Sequence, residues 1–62
     1  MTKQEYITQA AYLTHCIKGL NAQILEAATA SNVRLTRKLA ANLAESVAEF
    51  DTLTQDYRNE TD

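Results

Sequence analysis

The stretch Ala27-Ala28-Thr29-Ala30-Ser31-Asn32-Val33-Arg34 decides how this chain folds. Before it, apolar residues recur at Tyr6, Ala10, Leu13, Ile17, Leu20, Ile24 and Ala27, in alternating steps of four and three. That spacing draws one stripe along a helix and marks the seam of a coiled coil or an antiparallel bundle. After it, a second seam runs through Leu39, Leu43, Ser46, Phe50, Leu53 and Tyr57, with Thr36 before it and Val47 beside it. Continued past Ala27, the first seam lands on polar Ser31 and Arg34, while the second, continued backwards, lands on Asn32. The two frames are therefore out of phase by one residue, and the mismatch falls within Thr29-Ala30-Ser31-Asn32. Ser31 or Asn32 can cap a new helix there by accepting from the free amides of its first turn. One unbroken helix competes with this reading, because neither glycine nor proline enforces a turn. The phase break favours a hairpin: helix 1 over about residues 3–29, a turn at about 29–32, and helix 2 over about 32–59. Each helix would be roughly 40 Å long at about 1.5 Å per residue.

The ends of the chain agree with long helices. Thr2-Lys3-Gln4-Glu5 reads as a capping box, in which the Thr2 hydroxyl accepts from the Glu5 amide and the Glu5 carboxylate from the Thr2 amide. The chain has no proline and a single glycine, Gly19, and is rich in strong helix formers. Its 45% hydrophobic content is too high for a disordered tail.

Sixty-two residues make one domain at most, of a size whose core rarely supplies more than about 3–5 kcal/mol. Small domains add disulfides, a metal or association. The lone cysteine, Cys16, excludes an internal disulfide, and no Cys/His spacing suggests zinc. Association is what remains. Ile7, Ala11, Leu25 and Ala28 lie beside the first seam, and Val33, Ala40, Ala44 and Val47 beside the second. Each apolar stripe is thus wider than a two-helix pairing needs. The expected fold is all-α, an antiparallel two-helix hairpin that dimerises into a four-helix bundle. The alternative is that the second apolar face serves a different protein.

The formal net charge of −2 argues against a general nucleic-acid binder. Met1-Thr2-Lys3-Gln4-Glu5 lacks the apolar core of a signal peptide, and no apolar run approaches the roughly 18 residues of a membrane span. The chain is expected to be cytoplasmic with Cys16 reduced. No cofactor, metal or small-molecule substrate is expected.

Residues capable of chemistry are scattered. His15 and Cys16 are adjacent, so on a helix they point about 100° apart and cannot share a metal. His15 falls on the outer face, and Cys16 flanks the seam, where cysteine behaves as a small hydrophobe. Glu45, Glu49, Asp51, Asp56 and Glu60 are spread along helix 2. Paired carboxylates act as acid and base only in a cleft that shifts their pKa values, and a hairpin offers none by itself. The expectation is a protein that is not an enzyme. Ser46 sits in the core seam, either as a small residue that lets the helices approach, together with Ala10 on the opposite helix, or as a polar group that sets register.

Two groups of residues are candidates for binding a partner. Gly19 costs roughly 1 kcal/mol in mid-helix relative to alanine but lets another backbone come close. It shares a flank with Tyr12, and exposed tyrosines are common interface anchors. Tyr12, Gly19 and the neighbouring Gln23 form the first group. Arg34, Arg37 and Lys38 form the second. They crowd the first turns of helix 2 while most of its acids lie in the second half, both against the preference of the helix dipole. A basic turn end and an acidic terminal end would complement each other in an antiparallel dimer, or dock a charged partner.

The opening Met1-Thr2-Lys3-Gln4-Glu5, the length and the expected hairpin look like the Rop family of plasmid-encoded, RNA-binding four-helix bundles. The literal match covers those five residues of sixty-two. The RNA face of that family combines lysines with amides and a phenylalanine on helix 1. Here helix 1 has Lys3 and Lys18 but no phenylalanine, and Phe50 belongs to the core seam of helix 2. The resemblance implies a shared architecture and does not carry RNA binding over. The function expected is a small, non-catalytic adaptor or inhibitor that binds itself and another protein through helix faces, of a size common in phage or mobile-element genomes. The alternatives are a Rop-like dimeric RNA binder using Lys3, Lys18, Arg34, Arg37 and Lys38, and a structural subunit of a larger assembly.

Overall fold

Thr2 stands in an extended conformation immediately before the first helix, α1 (Lys3–Thr29). Its hydroxyl accepts from the Glu5 amide at 3.1 Å, and the Glu5 carboxylate accepts from the Thr2 amide at 2.9 Å. This is the reciprocal capping box, and it satisfies two of the amides that a helix start leaves without partners. The computed structural model describes residues 1–61.

α1 stops at the phase break. Ala30 is its C-cap and Ser31 turns into the left-handed region with φ 59°. The Ser31 amide donates to the Ala28 carbonyl at 3.0 Å, and the Asn32 amide to the Ala27 carbonyl at 2.9 Å. These two bonds form a Schellman motif, which reverses the chain while pairing the last carbonyls. Asn32 then opens the second helix, α2 (Val33–Thr61): its side-chain oxygen accepts from the Leu35 amide at 3.1 Å. The two candidate cap residues therefore divide the work, with Ser31 making the bend and Asn32 the cap. Thr36 adds a hydroxyl bond to the Asn32 carbonyl at 2.8 Å, so this polar member of the seam is satisfied within its own helix.

The two helices pack antiparallel into a hairpin, the all-α architecture expected from the seam phases. Every residue of both seams is buried or half-buried, while most flanking residues are exposed. The rod measures 46 × 15 × 10 Å, and its radius of gyration is 14.3 Å, against about 10.6 Å for a compact domain of this length. One seam against one seam makes a thin core. Among the described residues only Ala27, Leu39 and Leu53 are buried, at 5%, 8% and 7% exposure.

The register is set at the open end. Tyr6 and Tyr57 stack with centroids 4.4 Å apart and planes 3° from parallel. The Tyr6 hydroxyl shares a 3.0 Å hydrogen bond with Thr54, and the Met1 ammonium pairs with Glu60. Counting eleven residues inward from the tyrosines levels Ser46 with Ile17, and counting four levels Ala10 with Leu53. The expected meeting of Ser46 with Ala10 is thus replaced by small residues facing large ones. The physical reason is filling: interiors pack to crystal-like density, and two small residues at one level would leave a void.

Candidate functional site

Because the helices run antiparallel, their flanks sort onto two broad sides of the rod. Ala28 of α1 shares a trough with Val33, Thr36 and Arg37 of α2, and farther along the same side Ile17 meets Val47, Phe50, Asp51 and Thr54. Helical phase places Ile7, Ala11, Lys18 and Leu25 on the side of Ala28, and Ala40 and Ala44 on the side of Val33. We call this the aliphatic face. On α1, its row nearest the seam reads Ile7, Thr14, Asn21, Ala28. On α2 it reads Val33, Ala40, Val47, Thr54. Neither row contains a charge, and Lys18, Arg37 and Asp51 stand one position farther out. Leu25 and Val33 are 70% and 68% exposed, and Ile7 and Val47 about half exposed at 46% and 50%.

The opposite side is the tyrosine face. Thr8, Gln9, Tyr12 and Leu13 line a trough with Glu49 of α2. Nearer the turn, Gln23, Glu26 and Ala27 line another with Leu35 and Leu39. Tyr12 is 68% exposed. Its phenol is held above the ordinary tyrosine value, chiefly by the neighbouring Cys16 one turn on, with desolvation and then Glu49 across the trough adding to the effect. The ring stands beside the trough with its apolar body in water. Gly19 lies farther along the same flank, and a β-carbon added there would meet nothing within 4 Å. The chain itself thus does not require a glycine at this position.

Tyr12, Gly19 and Gln23 consequently share one flank of α1, although Tyr12 meets Glu49 of α2 while Gln23 meets Leu35 and Leu39. Arg34, Arg37 and Lys38 do not converge. Arg37 borders the aliphatic face, Lys38 follows Leu35 by three residues onto the tyrosine side, and Arg34 points away from both seams. Lys3 and Arg34 begin their respective helices, so they sit at opposite ends of the 46 Å rod, with Lys18 midway. The five cations make no single stripe.

Two partners of the Tyr12 patch escaped the sequence. Leu35, 41% exposed, lies beside Gln23, and Glu49 faces Tyr12. Leu35 had a signal, being apolar and one turn before Leu39. Glu49 had none, since its meeting with Tyr12 depends on the register between helices.

No family model matches the chain, nor does any curated protein or solved structure. The site is therefore read from its own chemistry. Among the described residues no group of three or more His, Cys, Asp and Glu could hold a metal ion. No helix among them is long and apolar enough to cross a membrane. Each trough follows the junction of the helices along the outside of the rod, and each offers apolar contact together with a few hydrogen-bonding groups.

Proposed function

We propose that this protein is a small, non-catalytic binding module, an adaptor or inhibitor, which engages another protein through the tyrosine face. The observation that carries the reading is the state of Tyr12. A large ring stands 68% exposed at the edge of a trough lined by Thr8, Gln9, Leu13 and Glu49. A tyrosine offers a large amphipathic surface with only two side-chain torsions, so its capture by a partner costs little side-chain entropy. Open space over Gly19 lets a partner's backbone lie close along the same flank. In this reading Gln23 and Leu35 extend the contact towards the turn, Lys38 and Glu49 supply steering charges, and the protein acts in the cytoplasm with Cys16 reduced.

The test is photo-crosslinking in the native cells, with Tyr12 replaced by p-benzoylphenylalanine. A discrete protein adduct heavier than two copies of the chain is expected, and none when the crosslinker replaces Ala48 on the outer surface. Adducts of two copies only, or none, would overturn the reading. Adducts containing RNA would favour the Rop-like alternative, whose affinity should fall steeply with salt, by about one power of salt concentration per contacted phosphate. The dispersal of Lys3, Lys18, Arg34, Arg37 and Lys38 over the rod makes that the weaker reading.

A further inference from the structure

The aliphatic face has no role in that function, and it is the larger unsolved problem of the molecule. A compact chain of 6.9 kDa exposes about 4,000 Å², whereas this one exposes 4812 Å². The excess, on the order of 800 Å², equals the area one partner contributes to a standard protein interface. Its composition is that of an interface interior. The uncharged rows adjoining both seams carry Ile7, Val33 and Val47, and the charges Lys18, Arg37 and Asp51 are kept to the margin. Depletion of charge at the centre, with charge at the rim, distinguishes interfaces from ordinary surface.

We infer that the occupant of this face is a second copy of the chain, packed with its turn at the opposite end. The inference rests on the reading that the protein works through helix faces, and it assigns the face that the partner leaves free. Two features select a second copy. The apolar residues are spread over both ends of the rod, Ile7 near the open end and Leu25 and Val33 near the turn, so a two-fold axis across the rod lays apolar upon apolar. The ends also differ in charge. Arg34, Arg37 and Lys38 outnumber Glu26 at the turn, while at the open end Glu5, Asp51, Asp56 and Glu60 outnumber Lys3, Arg58 and the Met1 ammonium. Turns at opposite ends set the basic end of each copy over the acidic end of the other. Turns at the same end would set like upon like.

Sedimentation and distance measurement on the full chain test this together. Wild type should be dimeric at micromolar concentration. Val47→Glu should raise the dissociation constant about a hundredfold or more, because symmetry places the new charge in the dry interface twice. Tyr12→Glu, on the other side, should leave it within about threefold. A wild-type monomer, or a dimer broken by Tyr12→Glu and spared by Val47→Glu, would overturn the assignment. If Val47→Glu loses its helical signal, Leu25→Lys at the rim serves instead, with a weakened dimer expected and an unchanged one counting against the face. Spin labels at Ala30→Cys in a Cys16→Ala background should lie about the 46 Å rod length apart. A separation below about 20 Å, two helix-packing distances, would refute opposite turns. A monomer that still forms the Tyr12 adduct removes this inference alone. A dimer without that adduct removes the binding function alone.

Discussion

The two ends of the hairpin solve the same problem by different means. At the turn, the last carbonyls of α1 and the first amides of α2 are paired by the backbone and one amide side chain: Ser31 to Ala28, Asn32 to Ala27, and Leu35 to the Asn32 side chain. Nothing there titrates. At the open end the helices are joined by side chains, through the Tyr6–Tyr57 stack, the Tyr6–Thr54 hydrogen bond and the Met1–Glu60 ion pair, and α1 is capped by a carboxylate. A reversal closed by backbone bonds is insensitive to pH and salt. An end closed by charges and rings is adjustable, and it is where the rod should fray first.

The largest expected effects test whether the core is as even as its burial suggests. Leu39→Ala near the turn and Leu53→Ala near the open end should each cost about 2–5 kcal/mol, from lost burial plus the cavity left behind. Denaturant unfolding of the two variants would check this. Hydrogen exchange should separate them: Leu53→Ala should expose the terminal turns of both helices, while Leu39→Ala should destabilise the rod as a whole, because the turn is covalently closed.

Asn32→Ala should cost about 1 kcal/mol, the usual loss for a removed N-cap. A loss below about 0.3 kcal/mol would show that the Schellman bonds alone hold the reversal. Ser31→Gly should act in the opposite direction and stabilise by up to about 1 kcal/mol. Serine strains in the left-handed region by roughly 1–2 kcal/mol, and glycine's greater freedom in the unfolded chain returns part of that. A drop in melting temperature in Ser31→Gly would contradict the φ of 59°.

The smallest effect is the pH response, and it should be confined to the open end. Hydrogen bonds from the Thr2 amide and hydroxyl hold the Glu5 carboxyl below its ordinary value. A depressed carboxyl contributes stability that is present above the unfolded value and lost as pH falls through the folded one. The protection of the first-turn amides of α1, measured relative to their intrinsic exchange rate, should therefore fall below about pH 4. The Met1 ammonium is held above its ordinary value by the Glu60 carboxylate, so its contribution is complete below about pH 8 and fades as pH rises further. The protection at Asn32 to Thr36, relative to the intrinsic rate, should stay constant through both ranges. Equal pH sensitivity at the two ends would remove the distinction between them.

Much of this was legible in the sequence. The steps of four and three named the stripes of both helices, Thr2 and Glu5 announced the first cap, and the one-residue phase slip at Ser31-Asn32 announced the reversal without any glycine. The apolar flanks and Tyr12 were visible as surplus to a two-helix core. What was not visible was how residues far apart in sequence meet. Ser46 faces Ile17 and not Ala10, Tyr12 faces Glu49, and Thr54 holds the Tyr6 hydroxyl, all because of where the two rods stop sliding past each other.

Periodicity is a property of one helix, and the sequence by itself determined each helix, its ends and its apolar stripe, because capping and 3.6-residue phase are local. Register and the sharing of faces belong to the pair. The Schellman turn brought α2 back beside α1, and the stacking of Tyr6 on Tyr57 then levelled every seam residue with its opposite. Only that tertiary packing decided that the aliphatic flanks of both helices lie on one side of the rod and Tyr12 on the other.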